Sequence, residues 1–298
     1  MAEVPVRRLV LWLSLTPRLG NKGIGRILDR LALRGLSPEE FLRLPADRKR
    51  EGFGLSASVA AALSRPLAAL EETYGPTEEK LRTLGVEWVT RHDASYPACV
   101  AERHPDPPTV LYLFGNRALF DRPTLAALAS RDATADALQR LERIVEKWVL
   151  KPGVLVAGHD TTAYRRAAVV PLRWGSPRIL VLDCGMFDAL SEQLDREPFS
   201  TARLWRYRFD PQTDLVISAH RPGDHLLGVH NKARDWLIAA VAEELLFVEV
   251  REGGVMQEIG LHALSQGRKV SACEWPEYDS TNAGNLRLLE AGAKAVRV

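Results

Sequence analysis

Residues 154–170, VLVAGHDTTAYRRAAVV, pass from a four-residue apolar run through a polar loop into a helical pattern. The run Val154–Ala157 is too short for a helix and too uniformly apolar for a surface strand, so it reads as a strand buried on both faces. From Thr162 to Val170 the apolar residues return at helical spacing. The same alternation recurs on either side. Upstream, Thr124–Ala129 precedes a helix expected over Ala135–Trp148. Downstream, the runs Ile179–Leu182, Leu215–Ser218, Leu245–Val250, Val270–Cys273 and Ala295–Val298 alternate with helices expected over Asn231–Ala242, Val255–Gln266 and Asn285–Glu290. Strands alternating with helices specify a parallel, doubly wound sheet, so residues 123–298 are expected to form a Rossmann-like α/β domain.

Towards the N-terminus the pattern turns helical. Val6–Leu15 is an apolar segment broken by Pro17 and Gly20. Gly23–Leu33 follows, with Ile24, Ile27, Leu28 and Leu31 at helical spacing. Ser37-Pro38-Glu39-Glu40 joins a capping box to a proline at the first helical position, which starts a helix there. Ser56–Leu70 is rich in Ala and Leu and reads as one helix. Residues 1–74 are thus expected to form a small all-helical domain. Residues 75–122 are expected to form a connector, with a helix over Glu78–Leu84 that ends at Gly85, a short strand at Glu87–Thr90 and a buried strand over Thr109–Phe114. The stretch Pro17–Gly25, PRLGNKGIG, suits a helix-hairpin-helix. Such a hairpin can hold a nucleic-acid phosphate on its amides, with Lys22 and Arg26 adding charge, or can serve as a packing device.

Composition narrows the function classes. The chain has 298 residues, 46% hydrophobic and 26% charged, which excludes wholesale disorder. Its net charge of +2 announces no particular partner, but the charge is unevenly shared. Residues 1–74 carry 12 Lys and Arg against 8 Asp and Glu, and the remainder 28 against 30. The three cysteines lie far apart with no CxxC, which argues against a zinc ribbon and a disulfide framework and fits a reducing cytoplasm. The opening apolar run is too short for a secretory signal, and no stretch approaches the ~18 apolar residues of a spanning helix. The dinucleotide fingerprint GxGxxG, the phosphate loop GxxxxGK[ST] and the nucleophile elbow GxSxG do not occur.

In a doubly wound sheet ligands gather at the carboxyl ends of the strands, so the loops there carry the functional expectation. After the first strand, Ser130 and Arg131 offer a hydroxyl and a guanidinium to a phosphate, unless Ser130 or Asp132 only caps the helix. In Gly158-His159-Asp160-Thr161-Thr162 a single glycine stands where a phosphate cradle wants several, and a turn with a threonine cap is the plainer reading. Arg165 and Arg166 follow one turn later, either as positive potential or as a solvated face. Asp183 could accept ribose hydroxyls, whereas Cys184 reads as a buried, inert thiol. His220, His225 and His230 lie five apart in a loop, which is poor spacing for zinc, so neither a metal nor a cofactor is expected. Arg221, Lys232 and Arg234 suggest an anion-facing surface instead. Gly253 and Gly254 let amides point at a ligand, with Glu258 close behind.

Three functions remain open on these residues. One is a single-stranded DNA binder using Arg131, Lys232 and Arg234, with Lys22 and Arg26 as a secondary basic surface. The second is a nucleotide-binding sensor or nucleotide-processing enzyme, with Asp183 on a ribose, Gly253 and Gly254 on a phosphate and Glu258 as acid or base. The third is a protein-interaction role.

The order of several segments adds a resemblance. Leu11–Gly20 with Leu28, then Leu84-Gly85-Val86, Asp93-Ala94-Ser95-Tyr96-Pro97, Pro107–Tyr112 with Gly115-Asn116, and finally Gly284–Ala293 follow one another as they do in the DNA-processing protein A family (DprA/Smf). The chain resembles that family along nearly its whole length. The resemblance implies a Rossmann-like domain, single-stranded DNA binding without catalysis in DNA uptake and recombination, a RecA-type recombinase as partner and a homodimer. Ser130 and Arg131 match the family's Ser-Arg motif, Gly158 one glycine of its Gly-rich loop, and Arg234 the first arginine of its Arg-Asn-Arg motif. Asp235 and Trp236 stand at the other two positions of that last motif. Gly253-Gly254 replace its Ser-Gly-Ser turn.

Overall fold

A computed structural model describes residues 4–225 and 231–297. The chain divides into two compact units, Met1–Tyr96 with Pro108–Tyr112, and Pro97–Pro107 with Leu113–Val298. The residues expected to form a connector are thus shared between the two. No helix among the described residues is long and apolar enough to cross a membrane.

The first unit is built from helices Val6–Leu15, Asn21–Arg34, Pro38–Arg43, Ala46–Phe53, Ala57–Leu63 and Leu67–Thr83, followed by strand β1 (Glu87–Thr90). Its core holds Leu9, Leu11, Trp12, Leu13, Ile27, Phe41 and Phe53, all out of contact with solvent. The capping box forms as read: Ser37 Oγ accepts from Glu40 N, and the Glu40 carboxylate accepts from Ser37 N. The single helix expected over Ser56–Leu70 is two. Helix Ala57–Leu63 stops at Ser64 and a new one starts behind Pro66, because the residue before a proline is pushed out of helical conformation. The helix expected over Glu78–Leu84 is not separate either. It is the end of Leu67–Thr83, which continues through Pro76 to the left-handed Gly85.

In the second unit, β3 (Thr124–Leu128), β4 (Val154–Ala157), β5 (Arg178–Leu182), β6 (Leu215–Ser218), β7 (Glu244–Phe247), β8 (Lys269–Cys273) and β9 (Lys294–Val296) follow β2 (Val110–Gly115) along the chain. These seven run parallel in the order β6-β5-β4-β3-β7-β8-β9. Helices Ala135–Val149, Thr162–Arg173, Asn231–Val241, Val255–Ser265 and Ala283–Glu290 connect or follow them. Strands β3 to β6 are buried at every residue, as runs covered on both faces must be. Helix Ala135–Val149 buries Leu138, Leu141, Ile144, Val145 and Val149, the 3–4 spacing of one face. The fold is the Rossmann-like α/β architecture expected from the sequence.

Candidate nucleic-acid interface

Strand order reverses between β3 and β7. The chain adds β4, β5 and β6 on one side of β3, and β8 and β9 beyond β7. Loops leaving the two central strands diverge there and open a crevice at their carboxyl ends. Ser130 N donates to Glu249 O at 2.8 Å, and Arg251 N donates to Ser130 Oγ at 3.0 Å, so the two loops are stitched together. The buried Glu249 carboxylate accepts from Thr134 N at 2.6 Å and from Thr134 Oγ at 2.8 Å. Thr134 itself caps helix Ala135–Val149, so neither Ser130 nor Asp132 is the cap.

Two cations stand on the rim of this crevice. The Arg131 side chain is 62% exposed, with Asp160 at 3.7 Å. Arg251 is 51% exposed and pairs with Asp132 at 2.9 Å. Gly253 is left-handed (φ 72°) and donates its amide to Gln257 Oε1 at 2.6 Å, and Gly254 is the cap of helix Val255–Ser265. Lys232 forms an exposed pair at 2.9 Å with Glu258, in the first turn of that helix.

Arg234 is placed differently from what its basic neighbours suggested. Its side chain is buried and is enclosed by carboxylates. Nη1 pairs with Asp160 and, at 2.9 Å, with Asp183; Nε donates to Asp235 Oδ1 at 2.9 Å. The Tyr164 hydroxyl donates to the same Asp235 oxygen at 2.8 Å, and its ring lies 4.8 Å under the guanidinium. Burial opposes the charge on Arg234, but Tyr164 and the three carboxylates hold its pKa above the ordinary arginine value. Burial also works against an ionised Asp183, yet His159, 3.5 Å away, and Arg234 outweigh it and keep that carboxyl below its usual range. Asp235 goes the other way, raised mainly by burial. The guanidinium is therefore neutralised inside the fold, and the floor of the crevice beside β4 and β5 is acidic.

Gly158 belongs to this cluster. A Cβ there would stand 2.8 Å from Tyr164 and 2.9 Å from the Arg234 stem, so the glycine makes room for protein atoms. The Thr161 cap expected in this loop forms, its side chain accepting from Tyr164 N. His159, Asp183 and Cys184 offer ligand atoms within 4.8 Å of one another. A cation among them would face the Arg234 guanidinium, and burial pushes the Cys184 thiol up to about 12, both of which oppose metal binding. Of the three spaced histidines, His225 is exposed and pairs with Asp188 at 2.9 Å, while His230 lies outside the described residues. Lys22 and Arg26 are exposed on helix Asn21–Arg34. Arg26, Arg30 and Arg34 share a face and donate to the carbonyls of Gly54 and Gly52, at the C-terminal end of helix Ala46–Phe53, where cations complement the helix dipole.

Two further features lie outside the strand-end loops. Arg178, at the start of β5, is fully buried between Glu197 at 2.6 Å and Asp214 at 2.9 Å. Residues 203–208, RLWRYR, interleave arginines with exposed aromatic side chains, the compositional sign of a surface for unpaired bases.

A doubly wound parallel α/β protein with a cationic rim at its topological switch point is what fold and site define. Residues 87–298 match the family described as DNA recombination-mediator protein A, and the chain belongs to that family. It is 27% identical over 208 residues to DNA processing protein DprA of Streptococcus pneumoniae, covering 68% of each chain. Against DNA processing protein DprA of Bacillus subtilis it is 22% identical over 238 residues, covering 80% of this chain and 77% of that one. The X-ray structure of the pneumococcal protein superimposes with a TM-score of 0.71 at 20% identity, over 99% of this chain and 95% of that one. A Helicobacter pylori DNA processing protein A structure, described for its single-stranded DNA binding mode, superimposes with a TM-score of 0.54 at 18% identity, over 70% and 90%.

Proposed function

We propose that this chain binds single-stranded DNA as a non-catalytic mediator of recombination in the cytoplasm, acting as a homodimer that hands the strand to a RecA-type recombinase. The observation that carries the reading is the position of Arg131 and Arg251. Both stand exposed on the rim where β3 and β7 part, the place where this fold class receives its ligands. Family membership gives that rim its ligand class, since the Helicobacter relative is described by its binding of single-stranded DNA. The enclosure of Arg234 moves the contacts outward. Backbone phosphates meet the rim, not the acidic floor.

The test is retention of a labelled oligonucleotide at two salt concentrations. Affinity is expected to fall as salt rises, with a slope of roughly 0.7 per neutralised phosphate for a single strand. Arg131→Ala is expected to weaken binding about equally across sequences and to make the slope shallower. Absence of any retention by the wild type at low ionic strength removes the reading.

A further inference from the structure

We propose a second contact surface for the same strand, in the groove between helix Thr162–Arg173 and the segment 198–205; this rests on the reading of the chain as a single-stranded DNA binder. The groove encloses about 690 Å³, within the roughly 300–1,000 Å³ typical of sites for small organic ligands. One wall carries Arg165 and Arg173 from the helix, and the other carries Phe199, Arg203 and Trp205. His159, beside the acidic floor, also lines it. It is followed in the chain by Asp160, the carboxylate that Arg131 reaches, so the groove begins one residue from the rim's ion pair.

The wall is fastened from beneath. Segment 198–205 is organised around one short 3-10 helix, Ser200–Leu204, and buried charge holds it down. Glu197, immediately before it, pairs with Arg178, whose Nη1 also donates to Ala168 O of the opposite helix at 2.8 Å. The Arg178 guanidinium lies 5.5 Å from the centre of the Phe199 ring. Arg206, just past the segment, pairs with the buried Asp214. Arg203 donates to Glu197 O at 3.2 Å. A surface loop that needed no shape would not require three buried ionic side chains to position it.

The chemistry of the lining selects the occupant. Arginines outnumber the single glutamate, Glu142, which is taken up by Arg166 and Arg173. Arg165 has no carboxylate partner among the described residues and is exposed. Trp205 is 46% exposed, with the Arg173 guanidinium 5.2 Å from its ring, and Tyr207 two residues on is 74% exposed. Cations set beside partly exposed rings match a chain in which phosphates alternate with unpaired bases, because every base offers a face to stack and every linkage a charge. A duplex hides its base faces, and an acidic peptide has no use for the rings.

The experiment titrates the full chain with labelled oligothymidylate. Trp205→Ala is expected to weaken binding about tenfold, the loss of one stacked base, and Trp205→Phe to restore most of it. Arg165→Gln breaks no ion pair or side-chain hydrogen bond among the described residues. It should leave the melting temperature unchanged and lower the salt slope by roughly 0.7. If the wild type binds and Arg131→Ala weakens it while Trp205→Ala and Arg165→Gln bind like the wild type, the groove is overturned and the rim reading stands. If the wild type does not bind, the reading beneath both fails. Tighter binding of an oligouridylate than of oligothymidylate, or competition by free thymidine monophosphate as strong as that of the oligonucleotide, overturns a DNA strand as the occupant.

Discussion

Arg234 and Asp183 form an ion pair with 2.9 Å between Nη1 and Oδ2, and neither side chain is open to solvent. With Asp160 and Asp235 on the same guanidinium, one cation balances three carboxylates. An isolated buried charge is costly, so the two sides of this cluster respond differently to mutation. Arg234→Met leaves the carboxylates unbalanced and is expected to destabilise the fold by about 3–5 kcal/mol. Asp160→Asn leaves Arg234 two carboxylate partners and removes the negative charge nearest Arg131. It should fold normally and tighten oligonucleotide binding several-fold at low salt. Denaturant midpoints check the first, and anisotropy titrations the second. Unchanged or weaker binding by Asp160→Asn would show that the acidic floor does not oppose the strand.

Gly158→Ala tests whether this loop is shaped by a ligand or by packing. A methyl group would press on the buried Tyr164 ring and the Arg234 stem, both within 3.0 Å. Neither can give way without breaking the bonds to Asp235. A loss of roughly 1–3 kcal/mol is expected, as for other overpacked cores, and is measured by urea unfolding. A variant of wild-type stability would mean that the glycine serves approach of a ligand.

The sequence was most informative where structure is set locally. Apolar runs such as Val154–Ala157 and Leu215–Ser218 are strands with the expected bounds, and the Ser37 capping box forms between residues three apart. Pro66 carried a signal that the Ala/Leu-rich reading of 56–70 overrode. The candidate site was less legible because its decisive contacts are not local. Arg234 is basic in sequence and neutralised in space, by carboxylates 74 and 51 positions away as well as by its neighbour Asp235. The pairing of Arg178 with Asp214 spans 36 positions and leaves no periodic trace. Arg203–Arg208 does carry a readable pattern, but it lies in a stretch without helix or strand periodicity, away from the strand ends where this fold class places its ligands.

Thiol chemistry offers an independent check of the core. Burial pushes the Cys184 thiol up to about 12 and the Cys273 thiol up to about 11, and it raises Cys99 as well. Thiolate is the reactive form, so at pH 8 the folded chain should react slowly with iodoacetamide. The half-buried Cys99 should lead, with Cys184 and Cys273 labelled only after denaturation. Mass spectrometry of peptides from folded and unfolded samples reads the order. Rapid labelling of Cys184 in the folded chain would contradict its burial just past the end of β5.

Lys49 makes a prediction about the helical unit. Its ammonium is buried and donates to Leu42 O at 2.8 Å, Leu44 O at 2.7 Å and Ser64 Oγ at 3.1 Å, tying three helix ends together. No carboxylate among the described residues compensates the burial, which pushes its pKa down to about 8. The unfolded chain therefore binds the proton more tightly than the folded one. Between about pH 8 and the ordinary lysine value of roughly 10.4 the unfolded state carries more protons, so this group makes stability rise with pH across that window. Below pH 8 both states are protonated and the dependence ends. Lys49→Met removes the donor shared by Leu42 O, Leu44 O and Ser64 Oγ and is expected to lower stability at pH 7 by about 1–3 kcal/mol. It should also abolish the lysine-specific gain between pH 7 and 9.5, which appears as a difference between wild-type and variant urea midpoints. Parallel midpoints for the two proteins across that range would place the ammonium in water and undo the account of how these helices are joined.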